Sequence, residues 1–330
     1  GTLSVPKGVP RLDLREFEQL HVLDETPMST VVALRHRRTG RLSAGKRVQK
    51  GSRVHLQGDY LNEVRMLHRL AGSPDIVALH GVCDAAGDFW VVLELCEGGR
   101  LEPWLERHPR RAREVAKELV EATQRLHAQR VCHLDLKPDN VLLTDGGQVR
   151  LCDFVTSCQL SGAGQQLIGN CGTPGFRAPE VGGAAGYCGL RADLFSLGKT
   201  LQVISRADPS WRELTKVVRQ LTEEDPQRRL SLAATHAALF GENGGGGGGA
   251  PLVLDFASLD SVSCREAKGP LATKAARPDH SSGLVRRVAP ESGRDPLRPP
   301  GLKPAKGVSL WRGAVDAAPP PAVAAAPRPQ

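Results

Sequence analysis

The stretch His133-Leu134-Asp135-Leu136-Lys137-Pro138-Asp139-Asn140, followed by Val141-Leu142-Leu143 and then by Asp153-Phe154, decides how this chain is read. Four polar residues at fixed spacing recur by chance on the order of once in 10⁵ start positions, so the pattern is far more specific than a lone glycine motif. The chemistry accounts for the spacing. A short loop between two strands presents Asp135 to a hydroxyl nucleophile, Lys137 to a transferring phosphate and Asn140 to a metal ion. Asp153, arriving at the end of the next strand, adds a second oxygen ligand for Mg²⁺.

Upstream of this loop the chain reads as strands, Val31 to Leu34 and Phe89 to Leu93, interrupted by one helical pattern from Leu61 to Leu70. From about residue 101 helical patterns take over: Leu101 to Glu106, Val115 to His127, Leu194 to Ile204 and Leu214 to Leu221. A strand-rich half followed by a helix-rich half predicts an α+β fold of two lobes without internal repeats.

These features resemble the eukaryotic-type serine/threonine protein kinase superfamily over residues 15–240. Ser43-Ala44-Gly45-Lys46 is similar to the strand motif whose lysine holds the α- and β-phosphates, and Glu63 to its ion-pair partner on the small-lobe helix. Asp75-Ile76-Val77 resembles the next strand, Leu93-Glu94-Leu95-Cys96 the hinge that bonds adenine through its backbone, and Gly98-Gly99 the turn after it. Cys171-Gly172-Thr173 through Ala178-Pro179-Glu180 resembles the peptide-binding loop. Asp193 with Ser196-Leu197-Gly198 resembles the start of the long buried helix, and Arg229 the partner of Glu180.

The resemblance implies a bilobal kinase-like fold, with the small lobe at about 15–96 and the large lobe at about 97–240, preceded by an extension over 1–14. It implies ATP and Mg²⁺ (or Mn²⁺) as cofactors and proteins as substrates. Asp135, Lys137, Lys46 and Glu63 would be catalytic. Val31, Ala44, Lys46, Glu94, Cys96, Leu142 and Asp153 would hold the nucleotide. Asn140 and Asp153 would hold the metal, and Thr173 would face the substrate. An isolated Lys46 or Glu63 would read as a solvated surface residue; the joint order of the motifs overturns that reading.

Several departures matter. The nucleotide-covering loop, where kinases place three glycines, reads Asp24-Glu25-Thr26-Pro27-Met28-Ser29. Pro27 lacks an N–H and Asp24 is expected to bring negative charge toward an anionic ligand, so ATP binding should be weakened. Leu134 replaces the arginine that pairs with a phosphorylated loop, and Gly169, which has no hydroxyl, falls at the usual phosphosite. Val155 stands for the glycine after Asp153-Phe154 and should restrict that segment. The connection from Ser205 to Ser210 is too short for the extra docking helix. Two functional classes therefore remain: an active ATP:protein Ser/Thr phosphotransferase, favoured because every charged group of the chemistry is present, and a pseudokinase serving as a nucleotide-binding or scaffold module.

Composition bounds the rest. Eight scattered cysteines without a CxxC pair read as free thiols of an intracellular, cytoplasmic or nuclear, protein. Cys152, next to Asp153, is expected beside the phosphates, either as a reactive thiol or as an inert buried one. No apolar run reaches the length of a bilayer span, so no membrane is expected. The formal charge of +8 is diffuse and lacks interleaved aromatics, so no nucleic-acid partner is expected. Residues 241–330 contain 13 Gly and 13 Pro, including the run Gly244 to Gly249. Such a stretch buries too little apolar surface to offset its ordering entropy and is expected to be a disordered tail, the place where regulatory protein partners would engage. Its apolar island, Leu252 to Phe256, is expected to be solvated. Truncation after Phe240 should leave the melting temperature of the chain unchanged in a thermal scan; a drop of many degrees would show that the island docks.

Overall fold

The computed structural model describes residues 5–241, apart from 28, 50–53, 86, 163 and 184, with residues 49 and 54–59 by backbone only. The expected tail at 241–330, with its island at 252–256, lies outside the described residues apart from Gly241.

The first half is a five-stranded antiparallel sheet in the order β1-β2-β3-β5-β4 (Phe17–Glu25, Thr30–His36, Leu42–Gln49, Asp88–Leu93 and Leu79–Ala85), with helix α1 (Val54–Arg69) inserted between β3 and β4. One face carries Ala33, Ala44, Val91 and Leu93, which join Val64 and Leu67 of α1 in the main core. The opposite face is also covered: Phe17, Leu34, Trp90 and Val92 form their own apolar cluster, sealed in part by Leu12 and Leu14. Residues 10–14 thus lie along the sheet. The Leu12 N–H donates to the Val82 carbonyl at 2.8 Å and the Val82 N–H to the Pro10 carbonyl at 2.9 Å. This pairing covers the exposed edge of β4, which would otherwise be a template for another chain. The strand expected at Asp75-Ile76-Val77 begins instead at Leu79; Ile76 bridges Leu151, and Arg125 Nη2 donates to Asp75 at 2.6 Å.

The second half is mainly helical: α2 (Leu101–Arg107), α3 (Ala112–Ala128), α4 (Gly189–Ile204), α5 (Arg212–Leu221) and α6 (Leu232–Phe240). The chain passes from α4 to α5 through residues 205–211 alone, as the sequence implied. Short strands β6 (Gly99–Arg100), β8 (Val141–Leu143) and β9 (Val149–Leu151) form one small sheet, and β7 (Val131–Cys132) pairs with β10 (Cys158–Gln159). These ribbons fix the loop 133–140 between them. Among the described residues, no helix is long and apolar enough to cross a membrane.

One carboxylate ties that loop to the helices. Asp193, fully buried in α4, accepts from the His133 N–H at 2.7 Å, the Leu134 N–H at 2.8 Å and His127 Nε2 at 3.0 Å. Leu134 sits at φ +65°, a left-handed backbone that costs a branched residue roughly 1–2 kcal/mol. The bonds to Asp193 offset that strain and satisfy two buried donors. Asp193→Ala should therefore lower stability by about 3 kcal/mol, read as a reduced urea midpoint at constant slope; a loss below about 0.5 kcal/mol would show that the loop is held by other means.

Candidate active site

A cleft of about 350 Å³ opens between the sheet and the helical half. Its apolar walls include Val31 and Ala44 above and Leu142 below, with Leu93 and Cys96 at the back. Strand pairing sets this up: Val31 lies opposite Lys46 across β2 and β3, and Ala44 lies opposite Leu93 across β3 and β5. Alternation along β3 then sends Ala44 and Lys46 to the same face.

At the inner end, Lys46 Nζ donates to Glu63 Oε2 at 2.9 Å, to Glu63 Oε1 at 3.1 Å and to Asp153 Oδ1 at 2.9 Å. The ammonium also lies 5.0 Å from the centre of the Tyr60 ring. Burial works against the lysine's charge, but the two carboxylates outweigh it and hold its pKa above the usual range. Burial raises the pKa of Glu63 against the pull of Lys46. Burial also opposes ionisation of Asp153, yet Lys46 overrides it and the carboxyl stays below its usual value.

Asp135 stands at the mouth of this group. Its Oδ1 accepts from the Thr173 N–H at 2.7 Å, and its Oδ2 lies 3.1 Å from Asn140 Nδ2 and 2.9 Å from Lys137 Nζ. Lys137 also donates to the Thr173 hydroxyl at 2.7 Å. The Cys152 N–H donates to the Asn140 carbonyl at 3.0 Å, bringing Asn140 and Asp153 together. Since the Asn140 amide N–H groups are given to the carbonyl and carboxylate of Asp135, its side-chain oxygen is what remains for a cation. Around Lys46, two carboxylates face one ammonium. That surplus of negative charge, beside an amide oxygen, is the hard-oxygen environment Mg²⁺ takes, with its other ligands from phosphate and water.

All the candidate residues from the sequence come together here. Glu94 turns its carboxylate to Arg150 at 3.3 Å and to the Ala78 N–H at 3.1 Å, which leaves its backbone for the hinge role that the resemblance implied. Thr173 is committed to Asp135 and Lys137. Three further residues had no local signal in the sequence. Asn62 donates to the carbonyls of Val155 at 3.1 Å and Ser157 at 2.8 Å, tying α1 to the segment after Asp153. Tyr60 hydrogen-bonds Ser29, and Arg100 reaches Asp24. Asp24 thus departs from expectation: its carboxylate is neutralised by Arg100 on the opposite wall. Val155 packs against Val48 and Tyr60, and its φ is not in the left-handed region, so no glycine is needed there.

The covering loop closes on itself. The Thr26 N–H donates to the Ser29 carbonyl at 2.9 Å and the Ser29 N–H to the Thr26 hydroxyl at 3.0 Å. An amide that a glycine-rich loop would aim at phosphate is here used within the turn. Farther out, Glu180 and Arg229 form a bidentate pair at 2.6 and 2.8 Å.

The sequence profile of the protein kinase domain matches residues 17–224. The serine/threonine-protein kinase RUNKEL of Arabidopsis thaliana is 33% identical over 220 residues, covering 64% of this chain and 16% of that protein. The putative CBL-interacting protein kinase 27 of rice is 31% identical over 249 residues, 66% of this chain and 61% of its own length. The liver/testis phosphorylase b kinase gamma catalytic chain of mouse is 32% identical over 216 residues, 60% and 52% respectively. The chain thus spans less than two thirds of the length of these relatives.

Cys152 lines the cleft, as expected, but burial raises its thiol well above the usual range, with Asp153 adding to the effect. That direction favours the inert alternative, because the thiolate is the reactive form. Native protein treated with iodoacetamide at neutral pH should show Cys152 unlabelled by mass spectrometry, with or without nucleotide; prompt labelling that nucleotide suppresses would reverse this.

Proposed function

The chain belongs to the protein kinase family, whose members generally use ATP and Mg²⁺, and from that premise we propose that it is an active enzyme transferring the γ-phosphoryl group of ATP to serine or threonine hydroxyls of proteins. The observation that carries this reading is the double engagement of Lys46, bonded at once to Glu63 of α1 and to Asp153 of the large lobe. Keeping Lys46 and Glu63 buried beside the partly exposed Asp153 costs desolvation that pairing offsets only in part, a cost that catalysis gives a reason to retain.

In this reading the adenine lies between Val31 and Ala44 above and Leu142 below, against the hinge backbone at Glu94 and Cys96. Lys46 holds the α- and β-phosphates. Mg²⁺, held by Asp153 and Asn140, would neutralise charge on the phosphates. Asp135 orients the substrate hydroxyl and takes its proton, and Lys137 offsets charge on the moving phosphoryl group. The bond from the Thr173 N–H fixes one oxygen of Asp135 and leaves its partner oxygen in the cleft, where Lys137 and Asn140 set its direction.

Control by phosphorylation of the activation segment is not expected. Leu134 packs with Leu160, Val181 and Tyr187 in an apolar cluster beneath that segment, which supports a constitutively ordered platform. The use of the Ser29 N–H within its own turn favours the second reading, a pseudokinase that binds nucleotide without transferring phosphate. Residues 241–330 are proposed to engage regulatory proteins.

The deciding experiment pairs radiolabelled ATP transfer to generic protein substrates with a Mg·ATP binding measurement. Wild type should transfer, and Asp135→Asn should lower kcat at least a thousandfold while changing the dissociation constant for Mg·ATP less than about threefold. Asp153→Asn should weaken both. Binding without transfer in the wild type would establish the pseudokinase reading, and equal rates in wild type and Asp135→Asn would reveal a contaminating kinase.

A further inference from the structure

Across the outer mouth of the cleft runs a chain of three charged side chains. Arg100 Nη2 forms an ion pair with Asp24 Oδ2 at 2.7 Å, and Arg100 Nη1 donates to Asp139 Oδ1 at 3.2 Å. Asp24 belongs to β1 of the sheet, whereas Arg100 closes β6 and precedes α2 of the helical half. Asp139 lies in the short turn Pro138–Asn140, immediately before Asn140. The backbone positions give the bridge its meaning. Asp24 is the cross-strand partner of Val31, the upper wall of the cleft, and Arg100 is the cross-strand partner of Leu142, the lower wall. The arginine therefore spans the slot between two residues that face each other across it. Both Asp24 and Arg100 are less than one third exposed, so the pair is screened less than an open surface pair.

We propose that Arg100 is a positioning residue for the nucleotide: by holding Asp24 and Asp139 together it fixes the separation of Val31 and Leu142, performing with an ion pair the closure that the glycine-free loop cannot perform with amide contacts to phosphate. The proposal rests on the cleft being a nucleotide site. It commits to the base as the part of the ligand that senses the bridge, because the walls it spaces are the apolar ones. It also inverts the effect expected of Asp24 as a lone negative charge, since a neutralised carboxylate repels no phosphate.

The signs of the effects separate these cases. In calorimetric titrations of the full chain, Asp24→Asn and Arg100→Gln should each weaken adenosine and Mg·ATP by the same factor, about threefold. The double variant should be no weaker than either single one, because one bridge is lost only once. Tighter Mg·ATP binding by Asp24→Asn with adenosine unchanged would mean that Asp24 acts as a repelling charge, and would overturn the proposal, as would additive losses. A ligand-free readout keeps the bridge testable on its own. Amide exchange in β1 residues 21–25 should quicken in both single variants and no further in the double. If wild type binds neither adenosine nor Mg·ATP, the nucleotide reading fails and exchange alone decides. Quickened β1 exchange would then support the bridge as a clamp between the lobes, and unchanged exchange would remove it.

Discussion

Three ionised groups at Lys46, Glu63 and Asp153 meet where the two halves of the chain touch, and the remaining architecture is arranged to keep them there. Each comes from a different element: β3, α1 and the turn after β9. A buried ammonium facing one carboxylate would satisfy charge balance; facing two, it leaves the site short of positive charge. Withdrawing Lys46 strands both carboxylates, that of Glu63 fully buried, and such losses run to about 3–5 kcal/mol. The cluster therefore couples the position of α1 to that of Asp153. Asn62, next to Glu63 on α1, reinforces the coupling by holding the carbonyls of residues 155 and 157, so the helix grips the segment at two points.

The large lobe meets a comparable constraint by different means. Its loop must bend through a left-handed residue at Leu134, and Asp153 repeats that conformation at φ +63°. Buried acceptors offset the first bend, whereas the second is held by Lys46 from the opposite lobe. Beyond the loop, the apolar side chain of Leu134 is held by packing, which supports the proposal that the segment is ordered without phosphorylation. A charge at that position would need a counter-charge delivered by modification; a leucine among Leu160, Val181 and Tyr187 needs only to stay dry. The platform carrying Thr173 is thereby ordered by the same force that orders any core.

The residues proposed for the chemistry were legible in the sequence because the roles proposed for them fix both type and order. Lys46, Glu63, Asp135, Asn140 and Asp153 had no substitutes, and all five converge in one cleft. The two-lobed α+β plan was legible for a related reason, the change from strand patterns to helical ones near residue 101. Less visible was anything that depends on pairing distant, chemically ordinary residues. Arg100 carries no local mark of reaching Asp24, and Asp24 considered alone invited the opposite conclusion about its charge. Residues 10–12 look like a loose extension until Val82 supplies their hydrogen bonds. Helix α6, Leu-Ala-Ala-Thr-His-Ala-Ala-Leu-Phe, escaped notice because small residues give it little amphipathic contrast.

The loss of glycine from the covering loop bears on how such a site can close at all. Glycines serve there by letting the backbone approach phosphate and by leaving amides free to bond it. Thr26 and Ser29 do neither, since each satisfies the other, and Tyr60 holds the turn from α1. A loop so constrained loses contact with the phosphates but also loses less conformational entropy when ligand arrives, because part of the ordering is already in place. With Arg100 holding the same strand from below, the roof of the cleft is fixed at both its tip and its base. In the proposed reading, binding energy comes mainly from the apolar slot and from Lys46, the groups whose geometry the folded chain determines without help from a ligand.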